Sequence, residues 1–197
     1  MSLVLPKIFD DNIKLLKQNN SIKTYFDIYN INILSIDFNK VQSDYYTLSK
    51  KIHPDLFSNS TEEQQSLSQF YNELLNNGLK TFKNLFSTAN YWLETIQLRN
   101  SKCNLVPKEI MGIVFEIQEL LEIEALYEDD IEELDEYLDQ LESREKNLKR
   151  LLSEDFEKWD SNVITMPNEL AISLNDILNR YSYIRKLIEQ INKKLNS

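Results

Sequence analysis

Glycine and proline are scarce in this sequence: two Gly and four Pro in 197 residues. That leaves little material for tight hairpins or phosphate-cradling loops, which need backbone freedom that most residues lack. With Leu, Ile, Lys, Glu and Asn abundant, the expected fold class is all-α. Cys103 is the single cysteine, so an intramolecular disulfide and a multi-cysteine zinc cluster are both excluded. An inert, half-buried thiol is its plain reading. No apolar run approaches the roughly 18 residues of a membrane span. Lys and Arg are missing altogether between Glu109 and Ser143, a stretch crowded with carboxylates that would repel a phosphate backbone; nucleic acid is not an expected partner. Histidine occurs once, at His53. There is no Ser or Cys nucleophile at a recognisable elbow, no Gly-rich loop and no His/Asp/Glu set at metal-ligand spacing. An enzyme, a bound metal and a cofactor are therefore not expected.

What is present divides unevenly. The net charge is −10, yet the residues up to Leu98 carry nine basic and ten acidic side chains, and those after it thirteen and twenty-two. Such asymmetry, in a chain long enough for two small domains of roughly 100 residues, predicts a first domain over 1–98, a linker over 99–107 and a second domain over 108–197. The N-terminal apolar stretch is too short for a secretory signal, and Asp10 and Asp11 are unlike a mitochondrial transit peptide. No targeting segment is visible, although Met1-Ser2-Leu3 is also compatible with an expression scar and leaves a removed presequence open. A soluble monomer or weak oligomer is expected.

From Asp37 the apolar residues Phe38, Val41, Tyr45, Leu48 and Ile52 recur at steps of three and four, one buried face of a helix. Pro54 stops the pattern, because proline drives its predecessor out of helical geometry and donates no backbone bond. His53-Pro54-Asp55 thus opens an exposed loop to about Ser60. Thr61-Glu62-Glu63-Gln64 has the form of a capping box, starting a second long helix whose Leu67, Tyr71, Leu74, Leu75 and Leu79 can face the first in an antiparallel hairpin. Gly78 is read as close packing between the two. A shorter helix is expected around Ala89 to Leu98, then a polar stretch to Pro107.

The lone imidazole of His53, two residues from a carboxylate, could serve as a general base, but no accompanying machinery is visible. Order and spacing point elsewhere. Thr24-Tyr25-Phe26-Asp27-Ile28-Tyr29-Asn30-Ile31, a helix ending Leu48-Ser49-Lys50-Lys51-Ile52-His53-Pro54-Asp55, and a long helix after it resemble a J domain over about residues 22–98. Glu63-Gln64, Tyr71-Asn72 and Ala89-Asn90-Tyr91-Trp92-Leu93-Glu94 extend the resemblance to the HscB-type J proteins of iron–sulfur cluster assembly. The resemblance implies that His53, Pro54 and Asp55 bind a heat-shock protein 70 type chaperone and stimulate its ATP hydrolysis, so the chemistry is the partner's. Lys50, Lys51 and Lys40 would steer this face towards an acidic surface. Asp44 interrupts the basic face, which is sparser than J domains commonly show. The compartment implied is the mitochondrial matrix in a eukaryote or the cytoplasm in a bacterium.

In the second half, Ile131, Leu134, Leu138, Leu141, Leu148 and Leu152 form one stripe and Leu170, Leu174, Ile177, Tyr181, Ile184, Ile188, Ile191 and Leu195 another, separated by Pro167. With a helix from about Lys108 to Tyr127 they predict a three-helix bundle; an extended coiled-coil dimer is the competing architecture. At about 100° per residue, Ile110, Ile113, Val114, Ile117, Leu120 and Leu121 share one face. Met111 and Phe115 lie off it, beside Gln118, Glu119 and Glu122, as an apolar anchor with a polar rim. Tyr183 falls roughly opposite the stripe of the last helix and is expected to be exposed. The family resemblance, weaker in this half, implies that this face holds an iron–sulfur cluster scaffold protein through Met111, Phe115, Glu116, Glu119 and Tyr183. Gly112 inside the helix costs about 1 kcal/mol relative to Ala and points to close approach of a neighbour or a partner. A general J protein with another client, and a purely structural coiled coil, are the alternatives.

Overall fold

The computed structural model describes residues 24–100 and 110–196; Cys103, Pro107, Lys108 and the N-terminal stretch lie outside them. Every regular element among the described residues is helical, and none of the helices is long and apolar enough to cross a membrane. Packing divides the chain into two compact units, Met1–Asn84 and Leu85–Ser197.

The first unit begins with α1 (Tyr25–Ile28), whose cap Thr24 exchanges hydrogen bonds with Asp27. Asn30 adopts a left-handed φ of 51°, a conformation its short polar side chain tolerates, and turns the chain. Asp37 caps α2 (Phe38–Ile52) by accepting the Asn39 amide at 2.9 Å. After the loop, Thr61 and Gln64 form the expected reciprocal capping box and start α3 (Glu62–Phe82). The two long helices pack as a hairpin around Val41, Ile52, Tyr71, Leu75 and Phe82, with Tyr29 in the same core. The Tyr29 hydroxyl donates to the Leu75 carbonyl at 2.8 Å, and burial pushes that phenol well above its ordinary pKa.

Gly78 does not mark an approach of α2 to α3. A Cβ built there meets Cε2 of Tyr29 at 2.7 Å and Cβ of Tyr25 at 3.3 Å, so the glycine makes room for α1 and the residue that follows it. The short N-terminal helix is thereby seated on α3.

The second unit holds α4 (Leu85–Thr95), α5 (Met111–Glu122), α6 (Glu128–Asp160) and α7 (Pro167–Leu195). Pro167 opens α7, where its missing amide leaves no bond unmade. The long α6 and α7 form an antiparallel hairpin within one chain, in place of the extended dimeric coiled coil. The buried Asp155 of α6 accepts the Ser173 hydroxyl of α7, a polar link between the two helices, and lies 3.4 Å from the Lys158 ammonium of its own helix. Both sequence stripes are largely core, but Ile131, at the start of α6, is exposed.

Three helices were expected here and a fourth joins them. The boundary placed at 99–107 moves to Asn84/Leu85, because α4 packs on α6 and α7. Trp92 meets Trp159 edge to face with ring centroids 5.4 Å apart, and Phe86 stacks on Tyr181 at 3.6 Å. Arg99 ties the end of α4 to α7, donating to Asn90 at 2.7 Å and to Asn175 at 2.8 Å. The helix expected to reach Tyr127 stops at Glu122, where Ile123 turns extended, and Tyr127 is exposed.

Candidate partner-docking sites

The first site is the loop between α2 and α3. His53 leaves helical geometry at φ −56°, ψ 132°, as a residue before proline must, while its amide still donates to the Ser49 carbonyl at 2.9 Å. Pro54 to Phe57 then form one turn of 3-10 helix, closed by the Leu56 amide on the His53 carbonyl at 3.0 Å. Phe57 is buried and pins the turn to the core. Two side chains of α3 hold the rest from behind: Ser68 donates to the Ile52 carbonyl at 2.6 Å, and the Gln65 amide to the carbonyls of Ser58 and Ser60 at 3.0 and 3.1 Å.

Within this frame His53 Nδ1 accepts the Asp55 amide at 3.3 Å, which leaves Nε2 as the ring nitrogen that can donate to a partner. The same Nδ1 is 3.4 Å from the Asp55 carboxylate. The side chains remain available: 49% of His53 and 88% of Asp55 is exposed. Lys40, Lys50 and Lys51 are all exposed on α2, with Lys50 and Lys51 in the last turn beside the loop. Leu56, next to Asp55, is exposed as well. Sequence reasoning passed over Ser68. Its signal was a polar residue in the stripe that runs through Gln64, Ser68, Tyr71 and Leu75.

The second site is the outward face of α5. Ile110, Val114, Ile117 and Leu120 are buried, whereas Met111 is 45% and Phe115 68% exposed, as the helical wheel requires. Glu116, Glu119 and Glu122 are exposed around them. Tyr137 of α6 reaches across: its hydroxyl lies 2.7 Å from Glu116 and 3.1 Å from Glu133. Its single proton can satisfy one carboxylate at a time, and the bond to Glu116, then partial burial, then Glu133 push the phenol well up from its ordinary value.

Tyr183, expected to be exposed, is half-buried. On α7 it lies about 40° round from Leu187 and about 20° from Lys194. Leu187 is buried and the Lys194 ammonium donates to the Ile123 carbonyl at the end of α5, so Tyr183 stands on the side of α7 turned towards α5. Among the described residues no group of three or more His, Cys, Asp or Glu side chains is placed to hold a metal ion.

Comparison with known proteins decides the family. The chain is 30% identical over 168 residues to the co-chaperone protein HscB homolog of Shewanella frigidimarina, covering 83% of this chain and 88% of that protein. It belongs to the HscB co-chaperone family. The HscB homolog of Colwellia psychrerythraea is 28% identical over 101 residues, covering 50% of this chain and 58% of that relative, a little over half its length. Among solved structures, human co-chaperone protein HscB superposes with a TM-score of 0.66 at 22% identity over 87% of this chain and 82% of that one. Chaperone HscB from Vibrio cholerae does so at 0.64 and 16%, over 87% and 96%. These two show that the HscB fold is shared. No protein-family profile matches the chain.

Proposed function

We propose that this HscB-type chain is a non-enzymatic adaptor that binds an iron–sulfur cluster scaffold protein on its second unit and brings it to a heat-shock protein 70 type chaperone. It stimulates that chaperone's ATPase through His53, Pro54 and Asp55. The observation that carries this reading is the loop. Its backbone is anchored by Phe57, Ser68 and Gln65, while the Asp55 carboxylate stays 88% exposed. A preorganised carboxylate can take a partner arginine without first ordering a flexible segment, and that saving appears directly as affinity.

Pro54 keeps the turn stiff, and His53 offers Nε2–H as a compact donor. Lys40, Lys50 and Lys51 raise the rate of encounter with an acidic partner surface more than they raise final affinity. On the second unit Met111 and Phe115 supply the apolar anchors, Glu116 and Glu119 the rim, and Tyr183 the flank on α7.

The test is the ATPase of the cognate chaperone, measured with wild-type protein and with His53→Gln. Glutamine cannot reproduce the Nδ1 contact with the Asp55 amide and an outward Nε2–H in one rigid ring, so stimulation is lost while helicity stays the same. Stimulation equal to wild type would remove His53 from this role.

A further inference from the structure

The first turns of α6 carry an apolar line on a side of the helix away from α5. Tyr127, one residue before the helix, is 78% exposed, Ile131 is 40% exposed and Leu138 is half-buried. All three fall within about 40° of one another on the wheel. Single exposed apolar side chains are ordinary on a protein surface; three along one face of a helix form a surface. Tyr137, through which α6 reaches Glu116 of α5, lies about 100° round from Leu138. Trp159, where α6 meets Trp92 of α4, is about 40 Å farther along the helix than Ile131.

The charges beside the line have one sign. Glu128, Asp135 and Glu142, all exposed, run along its outer edge within about 60° of Ile131, while the buried Leu134 and Leu141 continue its inner edge into the core. No Lys or Arg occurs from Ile110 to Glu142. On the neighbouring α7, Arg185 is 3.6 Å from Glu145 and 3.7 Å from Glu189, so its charge is already met by carboxylates outside this row.

We propose that this line binds a cationic amphipathic helix of another protein. The apolar face of that helix lies on Tyr127, Ile131 and Leu138, and its Lys or Arg residues meet Glu128, Asp135 and Glu142. Apolar anchors at helical spacing are what an amphipathic helix presents to such a surface. The one-signed edge selects the charge of its flank and speeds encounter, because an acidic helix would set like charges together. This surface is separate from both docking sites described above and depends on neither the scaffold nor the chaperone.

The experiment is calorimetric titration of a synthetic amphipathic helix of leucine and lysine into the full chain, with its leucine and glutamate counterpart as control. Saturable one-to-one binding of the cationic peptide alone is expected. Its dissociation constant should increase tenfold or more in Tyr127→Ala, Ile131→Ser and severalfold in Asp135→Asn, Glu142→Gln, a pair of exposed carboxylates whose loss leaves the core untouched; helicity is checked by circular dichroism. A Met111→Ala, Phe115→Ala variant should bind as the wild type does. Equal binding of the two peptides, loss of binding in the Met111, Phe115 variant instead, or no saturable binding at all would each overturn the proposal. So would self-association of the peptide-free protein that Tyr127→Ala, Ile131→Ser abolishes, since the line would then be covered by a second copy of the chain.

Discussion

Ser68 shows how one side chain supports the candidate docking loop without belonging to it. Its hydroxyl is buried and donates to the Ile52 carbonyl, the group next to the residue at which α2 gives way to the loop. Ser68→Ala leaves that buried acceptor without this donor, a change that costs about 1–3 kcal/mol. Urea unfolding is expected to show the loss, and chaperone stimulation to fall less than in His53→Gln, because the histidine and the carboxylate remain. An unchanged unfolding midpoint would mean that the hydroxyl bond contributes nothing net. At this scale the sequence was most informative where the chemistry is local. The helix stop at His53-Pro54 and the Thr61–Gln64 cap each depend on residues within four positions, and both appear in the structure as read. Tyr183 was misread because the wheel locates the side opposite a core stripe. It does not reveal that the Leu187 side of the same helix is buried as well.

Elements are joined by contacts that sequence spacing does not display. α1 has only four residues, too few to persist alone, and stays in place because Tyr29 fills the space above Gly78 and Phe26 packs on Phe82 with centroids 5.2 Å apart. Gly78→Ala would force its methyl into the Tyr29 ring, overpacking that typically costs about 1–3 kcal/mol. The expected result is a lower unfolding midpoint for the first unit, although alanine is otherwise the stronger helix former. A higher midpoint would show that the ring gives way freely. The same distance along the chain hid the allegiance of α4. Its aromatic residues suggested an ending to the first domain, but their partners Trp159 and Tyr181 lie on α6 and α7. The stripes of α6 and α7 were legible because their repeats are long and each helix carries its own record of its buried face.

For the whole molecule, the two units carry surfaces of different character: an anchored loop with exposed lysines on the first, an apolar pair within an acidic field on the second. The acidic field predicts that scaffold affinity falls as salt is raised, since exposed charges more than about 10 Å apart are screened at 0.1 M ionic strength. Titrations at low and high salt are expected to differ chiefly in association rate, with the apolar contacts of Met111 and Phe115 retaining the complex once formed. An affinity independent of salt would show that the carboxylates take no part.

The central claim is that one chain joins client to chaperone, and the most direct measurement is the chaperone's ATPase with scaffold alone, with this protein alone, and with both. Linked binding predicts that the two together stimulate more than the sum of their separate effects. The excess should vanish in a Met111→Ala, Phe115→Ala, Tyr183→Ala variant that still stimulates on its own. Additive stimulation by the wild-type protein and scaffold, indistinguishable from that of the triple variant, would contradict the account.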